Sequence, residues 1–152
     1  MGVAAITQDY PRANVVALEK WVACFGPGVL GISLTDTFGT EQFLKCFKQP
    51  CPGAGLTYAE VYTGVRQDSG NPETYVRMIQ SFYDELQRET GRTMGRKLIV
   101  FSDSLNIDLC LRYKACADEA HFPCIFGVGT FFTSLYLQIF FSLTLLTHSC
   151  HR

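Results

Sequence analysis

The amino-acid sequence predicts an α/β protein with parallel strands. Short apolar segments of strand length alternate with longer segments that have the periodicity of amphipathic helices. Each apolar segment ends in a polar stretch, and Asp36, Asp68 and Asp103 follow three of them at intervals of 32 and 35 residues. Such a repeat of strand and helix is typical of a parallel sheet with right-handed crossover connections.

In the first half of the chain, we predict two helices and one strand. A helix is expected over 11–25, because apolar residues recur there at helical spacing and Gly26-Pro27-Gly28 then ends the pattern. The apolar run 29–34 has the length of a strand. A second helix is expected around 42–47, and the Pro/Gly-rich segment 48–58 is predicted to be a loop.

In the second half, three more strands alternate with two helices. The strands are predicted over 61–65, 97–101 and 124–126. Asn71-Pro72-Glu73 is typical of a helix start, because it offers a capping side chain, a proline in the first turn and an acid at the positive end of the helix dipole. This helix is expected to end at Gly91, and another is expected over 106–120.

Composition excludes several classes of protein. The chain has 152 residues, a hydrophobic fraction of 47% and a net charge of −1, so it is neither globally disordered nor basic enough to suggest nucleic-acid binding. The seven cysteines include no Cys-x-x-Cys pair, which argues against a zinc ribbon and favours reduced thiols in an intracellular protein. All charged residues but Arg152 lie in 1–119, which leaves the C-terminal part strongly apolar.

The predicted strand ends form a candidate site. Because the carboxyl ends of parallel strands meet at one edge, we expect Asp36, Asp68, Asp103 and Gly129 to converge there. Carboxylates and neighbouring hydroxyls can bind magnesium or ribose hydroxyls, and Arg66 can grip a phosphate or carboxylate. The Gly127-Val-Gly129-Thr130 turn can present backbone N–H groups to a phosphate. These features suggest a phosphorylated sugar ligand, but an Asp after a strand is also a common helix N-cap, and this alternative remains open.

Four segments together resemble the nicotinate phosphoribosyltransferase family, most closely its fungal members. They are Leu34-Thr-Asp-Thr-Phe-Gly-Thr40, Gly64-Val-Arg-Gln-Asp-Ser-Gly70, Phe101-Ser-Asp-Ser-Leu-Asn106 and Phe126-Gly-Val-Gly-Thr130. The resemblance implies about four βα units of an irregular α/β barrel. It also implies condensation of nicotinate with phosphoribosyl pyrophosphate, with Mg²⁺ and ATP as cofactors, in NAD salvage.

The resemblance assigns roles to individual residues. It implies that Asp36 and Asp68 are catalytic residues, with Asp36 facing the ribose and the magnesium-pyrophosphate region. Arg66 and Asp68 would lie beside the pyridine ring and the ribose, and Ser102 and Asp103 would contact the sugar phosphate. Gly127, Gly129 and Thr130 would line the loop for the 5′-phosphate. No residue is predicted to belong to a dedicated metal site, and we expect a cytoplasmic protein, with the nucleus as the alternative.

Both ends of the sequence depart from the family pattern. In the family, a His-Glu-Trp motif precedes the first matching segment, and its histidine is phosphorylated by ATP. This motif is absent from the present sequence. We therefore expect a partial barrel domain over 1–133 with little or no activity alone, followed by an aberrant apolar tail over 134–152. Two alternatives remain: an interaction fragment that self-associates or docks on a full-length paralogue, or a small protein anchored in the membrane by 130–147.

Overall fold

The computed structural model describes residues 2–129, which form a mixed α/β fold with four strands and six helices. The strands are β1 (Ile32–Leu34), β2 (Gly64–Gln67), β3 (Leu98–Phe101) and β4 (Cys124–Phe126). The helices are α1 (Gly2–Thr7), α2 (Ala13–Phe25), α3 (Thr40–Phe47), α4 (Tyr58–Val61), α5 (Pro72–Thr90) and α6 (Ile107–Glu119). All neighbouring strands pair in parallel, in the spatial order β1-β2-β3-β4. The predicted α/β class and the four strand units are confirmed.

The register of the sheet places one residue of each strand in a row. Leu34 pairs with Arg66, Arg66 with Val100, and Val100 with Ile125. Because side chains alternate between the two faces of a strand, this row lies on one face of the sheet. Leu34 is 38% exposed and Ile125 is 54% exposed, so this face is only partly covered by the described residues.

The opposite face of the sheet belongs to the core. Val65, Ile99 and Phe101 are almost completely buried there, and the Phe101 ring lies 5.6 Å from the Tyr113 ring on α6. The buried face of α5 joins the same core through Val76, Ile79, Phe82, Tyr83 and Leu86. Helices α5 and α6 therefore cover the side of the sheet that does not carry Arg66.

Glycine is required at the start of β2. A Cβ atom added to Gly64 would lie 2.1 Å from the carbonyl oxygen of Leu98. No side chain fits at that distance, so the close pairing of β2 with β3 depends on this glycine.

Two predicted elements differ from those observed. The strand predicted over 61–65 begins three residues later, because Val61 ends the short helix α4. A capping box starts α4: Thr57 accepts a hydrogen bond from the Glu60 backbone N–H, and the Glu60 side chain accepts one from the Thr57 backbone N–H. The strand predicted over 29–34 is shortened to Ile32–Leu34, since Leu30 adopts a left-handed conformation with φ of 50°.

No helix within residues 2–129 combines the length and the apolar composition that a membrane span needs. The apolar segment 130–147 and the predicted tail over 134–152 lie outside the described residues.

Candidate active site at the strand ends

Three side chains from two neighbouring strand ends form a triangle of hydrogen bonds. Arg66 of β2 donates from Nε to Ser102 Oγ at 2.8 Å and from Nη2 to Asp68 Oδ1 at 2.7 Å. The Ser102 hydroxyl, directly after β3, donates to the same Asp68 oxygen at 2.5 Å. The hydrogen bond from Ser102 and the bond from Arg66, in that order, lower the pKa of Asp68 below its ordinary value. Asp68 is therefore a stable carboxylate at neutral pH.

Arg66 keeps part of its guanidinium available for a ligand. Its Nε and one Nη2 hydrogen are used within the triangle. The remaining N–H groups make no hydrogen bond to any residue in the described part of the chain, and the side chain is 44% exposed. A guanidinium edge of this kind can bind a carboxylate or phosphate through two parallel hydrogen bonds.

Asp36 is linked to the adjacent turn after β2. Its Oδ2 accepts a hydrogen bond from the Ser69 hydroxyl, and Ser69 directly follows Asp68. Asp36 and Asp68 therefore both lie at the carboxyl edge of the sheet, joined through the turn 68–70. This arrangement agrees with the expected convergence of strand ends.

Gln67 supports this turn from the buried side of the sheet. It is 1% exposed, and its Nε2 donates to the backbone carbonyls of Ser69 at 2.7 Å and Gly70 at 3.3 Å. Sequence reasoning did not assign Gln67 a role. A signal for it was available, because residues two apart in a strand lie on the same face and Val65 faces the core. The alternation therefore places the polar Gln67 on the buried face as well.

The aspartates do not cap the helices that follow them. The side chain that caps α5 is Asn71, which accepts a hydrogen bond from Thr74 N at 2.9 Å. Asn106 caps α6 in the same way through Leu109 N, also at 2.9 Å. The N-cap position of α3 is Gly39, which has no side chain to cap the helix. The N-cap interpretation of Asp36, Asp68 and Asp103 is therefore wrong, because Asn71 and Asn106 cap α5 and α6 and no side chain caps α3.

Asp103 and the glycine turn lie beside the triangle without joining it. Asp103 is half-buried and makes no hydrogen bond within the described residues, and the next residue, Ser104, has a φ of 48°. The Gly127 N–H donates to the Phe101 carbonyl at 2.8 Å. A Cβ on Gly127 would lie 3.4 Å from the Ser102 Cβ, so this glycine borders the triangle directly. Gly129 is exposed, and Thr130 lies outside the described residues.

A cavity of about 470 Å³ opens beside β1, between α1, α2 and the segment after the strand. Trp21, Leu34 and Phe38 contribute to its lining, and it reaches Thr37, the residue after Asp36. Arg66 and Ser102 are not among its lining residues. The triangle of Arg66, Asp68 and Ser102 is therefore separate from this cavity.

The fold and the strand-end cluster together define an α/β protein with an anionic and hydroxyl-rich site next to a free guanidinium edge. The profile of the nicotinate phosphoribosyltransferase (NAPRTase) family matches residues 1–140. This chain belongs to that family.

Individual relatives agree with the family match. The chain is 41% identical over 134 residues to the nicotinate phosphoribosyltransferase of Saccharomyces cerevisiae, covering 88% of this chain and 29% of the relative. It is also 41% identical over 135 residues to the nicotinate phosphoribosyltransferase of Methanosarcina acetivorans, covering 88% of this chain and 30% of the relative.

Solved structures show the same relationship in three dimensions. A crystal structure of the S. cerevisiae protein superposes with a TM-score of 0.72 at 40% identity, covering 85% of this chain and 29% of that chain. The nicotinate phosphoribosyltransferase of Vibrio cholerae gives a TM-score of 0.71 at 33% identity, covering 86% and 28%. The chain thus spans less than a third of the length of these relatives.

Proposed function

We propose that this chain contributes the strand-end part of a nicotinate phosphoribosyltransferase active site. The observation that carries the proposal is the triangle of Arg66, Asp68 and Ser102, held at converging strand ends in a member of this family. The proposed reaction joins the pyridine nitrogen of nicotinate to C1 of the ribose in phosphoribosyl pyrophosphate. The bond from that carbon to the pyrophosphate oxygen breaks, and pyrophosphate leaves with the electron pair.

The carboxylates suit the charge that this reaction develops. Positive charge builds on the sugar as pyrophosphate departs, and fixed negative groups stabilise it. The low pKa of Asp68 keeps that carboxylate ionised, and the link from Ser69 fixes one oxygen of Asp36. We assign both residues to this electrostatic role.

The free edge of Arg66 suits the carboxylate of nicotinate. Nicotinate is an anion, and a guanidinium held at Nε and Nη2 by Ser102 and Asp68 has lost part of its rotational freedom before binding. Two parallel hydrogen bonds from the remaining N–H groups would then orient the ring. The Gly127 N–H already bonds to the Phe101 carbonyl, so the backbone of the turn after it, up to Gly129, is assigned to the 5′-phosphate. Ser102 and Asp103 are assigned to the phosphorylated sugar.

The oxygen donors present fit Mg²⁺ only in part. No group of three or more metal-ligating side chains occurs within residues 2–129. Mg²⁺ commonly takes one or two carboxylates and completes its shell with water and substrate phosphates. Asp36 and Asp68 are the carboxylates that would hold it, and it would supply charge neutralisation for the departing pyrophosphate. No step proposed for these residues uses ATP.

A titration tests the binding part of the proposal. The purified 152-residue chain is titrated with phosphoribosyl pyrophosphate in the presence of Mg²⁺, and then with nicotinate. We expect saturable binding that Arg66→Gln weakens for nicotinate more than for phosphoribosyl pyrophosphate. Arg88→Gln, an exposed arginine on α5, is the matched control and should bind both as the unsubstituted chain does. Equal losses in the two variants would contradict the assignment.

A second candidate function is non-catalytic association with another copy of the chain. The observation in its favour is the exposure of Leu34 and Ile125 on the sheet face that carries Arg66. Sedimentation over a range of concentrations tests it. A shift toward dimer that Ile125→Lys abolishes supports this function, and a monomer at every concentration rejects it.

A further inference from the structure

A buried pair of hydroxyls connects three elements beneath the candidate site. The Thr35 hydroxyl, directly after β1, lies 3.1 Å from the Tyr75 hydroxyl on α5. It also lies 3.4 Å from the backbone carbonyl oxygen of Arg66 in β2. Thr35 is 0% exposed and Tyr75 is 6% exposed, so no solvent competes for these contacts.

The number of available protons determines which of the two hydroxyls donates the hydrogen bond. A hydroxyl group has one proton to donate. Both contacts of Thr35 are satisfied together only when Tyr75 donates to Thr35 and Thr35 donates to the Arg66 carbonyl. Burial raises the pKa of the Tyr75 phenol; the Thr35 hydrogen bond offsets part of this rise and the nearby Asp36 charge adds to it, so Tyr75 keeps the proton that this arrangement requires.

We propose that Tyr75 and Thr35 are positioning residues that set the placement of Asp36 relative to Arg66. Thr35 is the residue before Asp36, and its hydroxyl holds the backbone of Arg66, so one side chain constrains both groups. Neither residue is assigned a contact with a ligand. The inference rests on the proposed function, because it assigns the pair to the same phosphoribosyl-transfer site.

The chain supplies a matched comparison on the same helix. Tyr83 is also 6% exposed, but its hydroxyl has no hydrogen-bond partner within the described residues. Tyr75→Phe and Tyr83→Phe therefore remove the same atom from equally buried positions on α5. Only the first removes a link to the strand ends.

The test uses the Arg66 Nε–H resonance of the ¹⁵N-labelled 152-residue chain, identified by its loss in Arg66→Lys. This proton lies in the hydrogen bond to Ser102, so it reports the position of the guanidinium. We expect Tyr75→Phe and Thr35→Val to shift the resonance and to speed its solvent exchange by about fivefold, the factor that one ordinary hydrogen bond represents. Thr35→Ser retains the hydroxyl and should restore the original signal.

The outcomes separate this inference from the proposed function. If Tyr75→Phe moves the Arg66 resonance no more than Tyr83→Phe does, the positioning role is rejected. If Thr35→Val does not fold, the two tyrosine variants and Thr35→Ser still decide the question. The same samples are titrated with phosphoribosyl pyrophosphate and Mg²⁺. A chain that does not bind this probe contradicts the proposed function, whereas the resonance alone decides whether the pair positions Arg66.

Discussion

The Ser102 hydroxyl lies 2.5 Å from Oδ1 of Asp68, across the gap between two neighbouring parallel strands. The two residues are 34 positions apart in sequence, and each directly follows its strand. The same hydroxyl accepts a hydrogen bond from Arg66 at 2.8 Å, so one serine connects the Asp68 carboxylate to the Arg66 guanidinium.

Removing the Ser102 hydroxyl should raise the pKa of Asp68. The hydrogen bond from Ser102 is the largest cause of the lowered value, and Arg66 supplies the rest. In Ser102→Ala, the ¹³C carboxyl titration of Asp68 should therefore move upward toward the ordinary aspartate range without reaching it. Ser104→Ala is the control, because Ser104 makes no hydrogen bond to Asp68. An unchanged Asp68 titration in Ser102→Ala would show that this bond does not form in solution.

The helix caps can be distinguished from the site aspartates by their stability effects. Asn106→Ala should lower the free energy of unfolding by about 1 kcal/mol, because the Asn106 side chain caps α6. Asp103→Ala should change the free energy of unfolding by less than about 0.5 kcal/mol, since Asp103 does not cap a helix and makes no hydrogen bond within residues 2–129. Urea denaturation of both variants measures the difference. A larger loss in Asp103→Ala than in Asn106→Ala would mean that Asp103 is structural.

Gly64→Ala should be strongly destabilising. The added methyl group would overlap the Leu98 carbonyl oxygen, so β2 and β3 must separate or the strand must shift. We expect a loss of about 3 kcal/mol or more, the upper range for overpacking, or a chain that does not fold. Gly95→Ala is the control, because a Cβ there meets nothing within 4 Å. A Gly64→Ala chain as stable as Gly95→Ala would contradict the observed strand pairing.

The ion pair of Glu60 and Arg92 should make stability depend on pH in the acid range. The hydrogen bonds from Arg92, with those from Thr57, lower the pKa of Glu60 from 4.5 to about 2. A depressed folded-state pKa stabilises the fold above the unfolded value and loses that contribution as the pH falls toward the folded value. The free energy of unfolding should therefore fall between pH 4.5 and about 2.

The matched variant for this prediction is Arg92→Met. Its free energy of unfolding should depend less on pH over the same interval, because the folded pKa of Glu60 rises. Arg96→Met, at an exposed arginine four residues later, should keep the original dependence. Denaturation curves at several pH values between 2 and 6 provide the measurement, and parallel profiles for all three chains would reject the ion pair as the cause.

Local patterns predict β3 and β4 well because clear signals bound these two strands. Strand β4 was predicted with its observed bounds, and β3 within one residue. The helix after Asn71 was also predicted, since its cap and its terminal glycine are both local features. The start of β2 is predicted too early because Val61 and Tyr62 are large hydrophobic residues that are common both in strands and at the end of a helix. The spacing of Thr57 and Glu60, which is that of a capping box, was the local sign of the helix.

The sequence predicts the location of Asp36 and Asp68 at the strand ends, but not the contacts of the candidate site, and Asp103 lies beside the triangle without joining it. Topology alone placed Asp36 and Asp68 at one edge of the sheet. The role of Tyr75 depends on a hydroxyl contact across 40 residues, and no local pattern indicates such a contact. The sequence also did not show whether the aspartates cap helices. The observed hydrogen bonds of Asn71 and Asn106 show that these asparagines are the caps of α5 and α6.

The most direct test of the central claim measures catalysis in a complete barrel. Residues 2–129 of this chain replace the matching segment of the S. cerevisiae relative, and formation of nicotinate mononucleotide is followed with nicotinate, ATP and phosphoribosyl pyrophosphate. We expect the chimaera to be active and Arg66→Gln within it to lower kcat/KM by about 100-fold, as expected for the loss of charged hydrogen bonds to the nicotinate carboxylate. A folded chimaera in which Arg66→Gln turns over as fast as the unsubstituted protein would contradict the assignment of this strand-end cluster to the active site.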